Sequence, residues 1–167
     1  MNPATTNGFP MTTKSRRTVD YSTLEELRLD AEALAAGPYT TVGNWTYGQI
    51  LQHLAQAMHA SIDGFPFGAP WYMRLAAPLV KNSVLTKRMK PGFKLPKSAD
   101  AYLPSVDTSV EDALTRLVNG IERLEVETPN APHPVFGKLA REEWLALHLR
   151  HSELHMSFVV PTNDATE

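Results

Sequence analysis

The sequence predicts an all-α fold, a four-helix bundle with a long middle crossover. Apolar residues recur at intervals of three and four in separate segments, which is the pattern of amphipathic helices. Three segments open with serine or threonine followed three residues later by glutamate or glutamine, the spacing of a capping box. No segment shows sustained strand alternation. Helices that each bury one apolar stripe pack most simply as a bundle around a single core.

The size and composition of the chain are those of one globular domain, with 167 residues, 43% of them hydrophobic and 20% charged. We expect a flexible N-terminal tail over residues 1–15, a helical domain over residues 16–161 and a C-terminal tail over residues 162–167. The N-terminal tail has few apolar side chains to offset the entropy of ordering it. Met11 offers an alternative start to Met1.

Charge and residue usage exclude several classes of function. A net charge of −2 gives no electrostatic reason to expect a nucleic-acid partner, and we expect the basic cluster at positions 87–90 to be solvated surface. The absence of cysteine excludes disulfides and thiolate metal ligands. The first residues lack the apolar core of a signal peptide, and apolar stretches such as Leu75–Val80 are too short to span a bilayer. We therefore expect a cytoplasmic protein with no membrane partner.

The first two helices are predicted from their start and stop signals. Ser22 with Glu25, and Thr46 with Gln49, have capping-box spacing. The first helix should end at the Gly-Pro pair at 37–38, and the second before the glycine at 64. The apolar stripes that follow these starts are Leu24, Leu27, Ala31 and Leu34 in the first helix and Ile50, Leu54 and Ala57 in the second.

The middle of the chain predicts less regular structure. Residues 71–90 have helical spacing, but Pro78 removes a backbone donor and should kink or split that helix. Residues 91–107 contain three prolines, which favours an irregular crossover. A further helix should begin at Thr108 or the next residue, where Glu111 completes a third capping box.

The last predicted helix, from Arg141 to Val160, carries the most informative pattern. Five of its residues, spaced by four, three, four and three, fall within an arc of about 80°. These residues are Trp144, His148, His151, His155 and Phe158. Arg150 and Glu153 point away from that arc. Burying several imidazoles is costly unless their nitrogens find partners, so this face predicts a metal site or a hydrogen-bonded core network.

Three histidines are the candidate metal ligands. His151 and His155 lie four residues apart, which puts their rings on adjacent turns and is the spacing that one helix uses to donate two ligands. His53, on the apolar side of the second helix, is the candidate third ligand. His148 is seven residues from His155, about 10.5 Å along the axis, so we expect it to support a ligand through a hydrogen bond or to pack in the core.

Structural interpretations of these residues remain open at this point. Each candidate ligand could instead be a hydrogen-bonded core histidine, and Trp144 and Phe158 are expected to be core residues. We expect His59 to be exposed, and His133, between two prolines, has no assigned role. The aromatic residues expected to pack rather than line a pocket mouth are Phe65, Phe67, Trp71 and Tyr72.

Two motifs resemble a known superfamily. Residues 44–54, Asn-Trp-Thr-Tyr-Gly-Gln-Ile-Leu-Gln-His-Leu, resemble the second-helix signature of the DinB/YfiT-like metalloenzymes. Residues 133–139, His-Pro-Val-Phe-Gly-Lys-Leu, followed by Glu143-Trp144 and by residues 148–155, His-Leu-Arg-His-Ser-Glu-Leu-His, resemble the C-terminal signature of one branch of unknown function. The similarity extends over nearly the whole chain from residue 16.

The resemblance implies a four-helix bundle with one long crossover and a metal site whose ligands are His53, His151 and His155. Many relatives carry a further histidine where this chain has Leu154, a position that points off the ligand arc. Three neutral imidazoles leave a divalent ion with an open coordination position, which is typical of catalytic sites. All-nitrogen ligation suits zinc, nickel, iron or copper, and the spacing does not choose among them. We expect zinc or nickel, with iron and copper as alternatives.

These features predict a metal-dependent enzyme acting on a small molecule. The resemblance implies a thiol-dependent S-transferase or a hydrolase, a low-molecular-weight thiol as partner, and a homodimer. The alternative is a non-catalytic metal- or ligand-binding bundle protein of the stress-response type. Asp63 and Glu153 are the carboxylates considered as a general base, and neither is assigned that role, because Glu153 faces away from the ligands.

Overall fold

The computed structural model describes residues 15–92, residue 99 and residues 102–162. The two predicted tails lie outside these residues, apart from positions 15 and 162. In the described part the protein is predominantly helical, with five α-helices and two short strands. In chain order the elements are α1 (Leu24–Ala36), β1 (Tyr39–Thr41), α2 (Tyr47–Asp63), α3 (Trp71–Thr86), α4 (Val110–Val126), α5 (Arg141–Met156) and β2 (Val159–Pro161).

The capping box at the start of α2 is confirmed. Thr46 Oγ1 accepts a hydrogen bond from Gln49 N at 3.3 Å, and Gln49 Oε1 accepts one from Thr46 N at 2.9 Å. These two bonds satisfy backbone donors that have no partner inside the helix. The helix that carries His53 therefore begins at the predicted residue.

The other two predicted capping boxes are wrong by one residue. Thr23, not Ser22, caps α1 and accepts from Glu26 N at 3.1 Å. Ser109 caps α4 and accepts from Asp112 N at 3.1 Å, where the expected box was at 108 and 111. In each case two hydroxyl residues stand side by side and are followed by two acidic residues, so both registers satisfy the spacing rule.

The core lies between α1, α2, α4 and α5, with α2 and α4 packed along their length. Leu51 of α2 and Leu117 of α4 are fully buried there. A Cβ on Gly48 would lie 2.2 Å from the carbonyl oxygen of Thr108, so the start of α2 passes against the backbone just before α4. Tyr47 donates to the carbonyl oxygen of Ala31 at 2.7 Å and so fixes the start of α2 on α1.

The all-α prediction is wrong in one element, a two-stranded ribbon. β1 and β2 pair antiparallel, with Tyr39 opposite Pro161 and Thr41 opposite Val159. The last helix accordingly ends at Met156 and not at Val160. The helical spacing of apolar residues continues to Phe158, but the β-branched valines that follow favour extended backbone, and the strand partner supplied by residues 39–41 is invisible to local periodicity.

Helix α3 also differs from expectation. It runs unbroken from Trp71 to Thr86 with Pro78 inside it. Pro78 and Arg74 are both exposed, so the carbonyl that Pro78 leaves unpaired faces water, which reduces the cost of the missing bond. The helix packs on α5 by one side, with Ala77 its buried residue. The expected packing of Trp71 and Tyr72 is wrong, because 75% and 59% of their surfaces are exposed.

Among the described residues, no helix combines the length and the apolar character needed to cross a bilayer.

Candidate metal centre

The three predicted ligands converge in the structure. His53 projects from α2, and His151 and His155 project from successive turns of α5. One ring nitrogen from each lies within 4.8 Å of the other two. The Nε2 atoms of His53 and His151 are 3.0 Å apart, and the ring centroid of His155 is 4.7 Å from those of both other histidines. His53 is buried, whereas His151 and His155 are half-buried, so the cluster has one side open towards solvent.

The donor set fits a divalent cation. Ligand nitrogens in a tetrahedral zinc site bond at about 2.0–2.1 Å, which places them about 3.3 Å from one another. The separation of the Nε2 atoms of His53 and His151, 3.0 Å, is close to this value, and all three ligand nitrogens lie within 4.8 Å of one another. Without an ion, the close approach of the two Nε2 atoms requires one ring to carry its proton on Nε2 and the other ring to accept it. A cation would instead accept the Nε2 lone pairs of both rings. His53 Nδ1 is buried with no hydrogen-bond partner, so nothing on the described residues fixes its tautomer.

Burial keeps these imidazoles neutral. Desolvation, and then the repulsion between two protonated rings when His151 also carries a proton, lowers the pKa of His53 to about 3. Desolvation lowers the pKa of His151 to about 4, and it holds the pKa of His155 well below its ordinary value. A metal ion binds the neutral ring, so the three residues are in the ligating form at neutral pH.

Trp45 forms a wall of the site that the sequence analysis did not identify. Its ring stacks on the ring of His155, with 5.3 Å between the ring centroids, and makes an edge-to-face contact with the ring of His53, with 4.9 Å between the centroids. It lies in the loop between β1 and α2, just before the Thr46 cap. In the sequence, the position of Trp45 within the motif at residues 44–54 was the one indication that it belongs to the site. That motif gives no information about a contact with α5.

His148 is not a member of the ligand cluster. Its Nε2 lies 3.1 Å from Ser61 Oγ, and the Ser61 hydroxyl donates to the carbonyl oxygen of Met58 at 2.6 Å. Since that hydroxyl proton is already used, His148 Nε2 donates and Ser61 accepts. The ring also stacks on Trp144 at 5.5 Å. Desolvation, followed by the charges of His151 and His133, lowers the pKa of His148 to about 3, and its contacts are those of a packed core residue.

His133 has a defined structural role that the sequence analysis left unassigned. It pairs with Gly137 through two backbone hydrogen bonds of 2.7 and 2.9 Å, and its Nδ1 accepts from the backbone N–H groups of Val135 and Phe136 at 3.1 Å. Its Nε2 therefore carries the proton in the neutral ring. Desolvation, and then the charge of His151, lowers its pKa to about 4. The glycine four residues after this histidine, with φ +67°, was the local signal for a tight turn.

The remaining polar candidates lie away from the cluster. His59 is half-buried, contrary to expectation, because Arg123 donates to its Nδ1 at 3.0 Å and its Nε2 donates to the Arg116 carbonyl at 3.3 Å. Asp63 pairs with Arg123 at 2.7 Å. Glu153 is buried, and its Oε1 accepts from the backbone N–H of Tyr21 at 2.8 Å, which agrees with its predicted direction away from the ligands.

Comparison with known proteins identifies the family of the chain and nothing more specific. No curated protein and no solved structure matches it. One family model matches residues 13–162, nearly the whole chain, and its description is "Protein of unknown function (DUF1569)". The match covers every helix and both strands described above, including all three clustered histidines. The chain therefore belongs to the DUF1569 family of proteins of unknown function.

Proposed function

We propose that this protein is a metal-dependent enzyme in which His53, His151 and His155 hold one divalent ion and a small-molecule substrate occupies the open side. The observation that carries the proposal is the convergence of three neutral ring nitrogens from two helices within 4.8 Å. Three nitrogen ligands leave at least one coordination position free, as in catalytic zinc sites. Imidazole ligands suit zinc, nickel, iron and copper, and we propose zinc or nickel as the ion.

The chemistry follows from the ligand set and its surroundings. Once bound, the ion would lower the pKa of a water molecule or a thiol at the free position and so supply a nucleophile near neutral pH. Trp45 excludes water from one side of the cluster and restricts rotation of the rings of His53 and His155. The half-buried rings of His151 and His155 leave the other side accessible to a substrate.

A thiol substrate is supported better than hydrolysis. The ligand cluster contains no carboxylate to accept a proton, and the two carboxylates considered earlier are occupied elsewhere, Asp63 by Arg123 and Glu153 by Tyr21. A thiol has an ordinary pKa of about 8.5 and loses its proton to metal coordination far more readily than water does. We therefore propose a thiol-dependent S-transferase, with a low-molecular-weight thiol as one substrate.

The resemblance to the DinB/YfiT-like superfamily supports the same proposal. The motif at residues 44–54 supplies both His53 and Trp45, which lie together at the cluster. We assign the chain to that superfamily, with α1, α2, α4 and α5 as its four-helix bundle and α3 within the crossover. The departure at Leu154 does not affect the ligand set, because this side chain is not among the clustered donors.

The second candidate function is a non-catalytic metal-binding protein. The observation that favours it is that no proton acceptor accompanies the three ligands in the cluster. Both candidates require the ion, and they differ in whether the loaded protein turns over a substrate.

Elemental analysis of protein prepared without a histidine tag tests the site directly. We expect one divalent ion per chain, lost in His151→Ala and kept in His59→Ala, a matched histidine variant outside the cluster, whose ring is hydrogen-bonded to α4 through Arg116 and Arg123. Full occupancy in His151→Ala would overturn the ligand assignment. A screen of thiols against alkyl and aryl electrophiles then separates the two functions, since metal-dependent thiol consumption supports the transferase and its absence in fully loaded protein supports the binding protein.

A further inference from the structure

Helix α3 presents a continuous apolar face to solvent. Trp71, Leu75 and Leu79 are spaced by four and lie along one side of the helix, with 75%, 73% and 87% of their surfaces exposed. Tyr72 extends this face at 59% exposure. Single exposed apolar residues are common, but a contiguous set on one helix marks an interaction surface.

The same segment is the basic part of the protein. Between Asp63 and Asp100 the sequence contains seven lysines and arginines and no acidic residue. Since the whole chain has a net charge of −2, the rest of the chain carries −9. Arg74, Lys87 and Lys90 are exposed and form no ion pair with the described residues, so their charges are available to a partner.

We propose that α3 binds the surface of a lipid bilayer that contains anionic lipids, with its axis parallel to the membrane plane. A helix with one apolar face, flanking lysines and arginines, and a tryptophan and a tyrosine at one end has the composition of an interfacial helix. Leu75 and Leu79 enter the boundary between headgroups and acyl chains, and the basic side chains contact lipid phosphates. This proposal departs from the expectation of no membrane partner, which considered spanning segments alone.

Charge argues against a second copy of the chain as the occupant. If α3 packed against α3 of another copy, Arg74, Lys87 and Lys90 of both copies would lie near one another with no acidic residue in the segment to pair with them. Like charges across an interface oppose association. Residues 1–14 of this chain are an equally poor cover, because they are mostly polar and contain a lysine and no acidic residue.

The shape of the surface favours lipid over an acidic protein. The apolar side chains stand on the outer side of a helix that contacts the domain through its opposite side, where Ala77 is buried and Lys81 pairs with Glu143 at 2.7 Å. The face is therefore a ridge. A fluid bilayer accommodates a ridge without a preformed groove, whereas a protein partner would have to supply one.

Sedimentation of the full chain with vesicles tests the proposal. We expect binding to phosphatidylcholine vesicles containing about 40% phosphatidylglycerol, little binding to pure phosphatidylcholine, and loss of binding in about 0.5 M salt. Leu75→Ser/Leu79→Ser should lower the partition coefficient about a hundredfold, and Arg74→Gln/Lys87→Gln/Lys90→Gln by a similar factor. The matched control is Val126→Ser at the end of α4. Val126 is 84% exposed, compared with 87% for Leu79, and this variant should bind the vesicles as the unaltered protein does.

Two results would overturn the proposal. One is no binding to anionic vesicles at low salt by the unaltered protein. The other is a dimer in analytical ultracentrifugation that the leucine variant converts to monomer, since this would make a second copy the occupant. The same variants keep the three clustered histidines, so metal content measured in parallel separates this inference from the proposed function.

Discussion

The Nε2 atoms of His53 and His151 lie 3.0 Å apart although the two residues are 98 positions apart in sequence. The contact joins α2 to α5 within the histidine cluster, beside His155. A bound ion would replace this contact by two metal–nitrogen bonds and so connect the same two helices more strongly. Several measurable properties of the protein depend on this relationship.

Metal removal should lower thermal stability. An ion that binds the folded state alone adds about 2.7 kcal/mol when its free concentration is a hundredfold above Kd. For a domain of this size, that corresponds to a rise of about 5–10 °C in Tm. Differential scanning calorimetry of metal-free and zinc-supplemented protein would measure the change. The variant His53→Ala should show no such rise, and an equal rise in that variant would place the stabilising ion elsewhere.

Metal affinity should change little between pH 7 and about pH 5.5. Three ordinary imidazoles, each with a pKa of about 6.5, would lose affinity about a thousandfold over this range, because each would be mostly protonated at the lower pH. Here the pKa of His53 is lowered to about 3 and that of His151 to about 4, so protons compete with the ion only at lower pH. Competition titration with a chromophoric chelator measures the affinity, and a thousandfold loss by pH 5.5 would contradict the burial argument.

Stability of the metal-free protein should fall as the pH is lowered from 6.5. The pKa of His148 is about 3 in the folded state and near 6.5 in the unfolded chain, so between these values the unfolded state binds the extra proton. Each such histidine removes about 1.4 kcal/mol of unfolding free energy per pH unit in this window. Urea unfolding of the unaltered protein between pH 6.5 and about 5.5 should show a loss of unfolding free energy about 1 kcal/mol larger than that of His148→Gln, because the unfolded histidine is half protonated at pH 6.5 and mostly protonated at pH 5.5.

Replacing Ser61 by alanine should destabilise the protein by about 1–3 kcal/mol. The change removes the acceptor of His148 Nε2 and leaves a buried donor without a partner. Ser157→Ala is a comparison of the same type, because the Ser157 hydroxyl donates to the Leu154 carbonyl and is nearer the surface of the helix end. The Ser157 hydroxyl also accepts from the Arg16 guanidinium at 3.2 Å in a part-buried contact, so a smaller effect at Ser61 than at Ser157 would contradict a stabilising contribution from the buried His148–Ser61 bond.

Gly48→Ala should cost about 1–3 kcal/mol, because the added methyl group overlaps the Thr108 carbonyl oxygen. The backbone atoms concerned cannot rotate away, so α2 and α4 must separate locally. Gly37→Ala is the matched control, since its Cβ would have an ordinary 3.5 Å contact with the Ala33 carbonyl. Chemical denaturation should give clearly different midpoints for the two variants, and equal midpoints would show that the start of α2 can move.

Helical periodicity predicted the centre of the molecule well. The four-residue spacing of His151 and His155, and the position of His53 on the apolar side of α2, were enough to expect three converging rings, and the structure brings them together. The Thr46 cap was also predicted, because a single hydroxyl residue stands at that position. At α1 and α4 the hydroxyl residues come in pairs, and the sequence offers two equivalent registers.

Features that depend on distant partners were not predictable. β1 and β2 have three residues each, too few to show alternation, and their pairing joins segments that follow different helices. The contact of Trp45 with His155 has the same origin, since it joins a loop before α2 to the last turn of α5. The exposure of Trp71 was missed because apolar composition alone gives no information about which neighbour, if any, covers a side chain.

The ribbon determines what supports Trp45. Val42 N donates to the Phe158 carbonyl at 3.0 Å, and a Cβ on Gly43 would lie 2.8 Å from the Phe158 ring, so the loop that precedes Trp45 rests on the residues just after His155. Contacts with residues near the C-terminal end of the chain thus hold the indole of Trp45 in place, although α1 is closer to it in sequence. Lengthening the turn between α1 and β1 would leave the indole in place, whereas removing β2 would free it from the histidine on which it stacks.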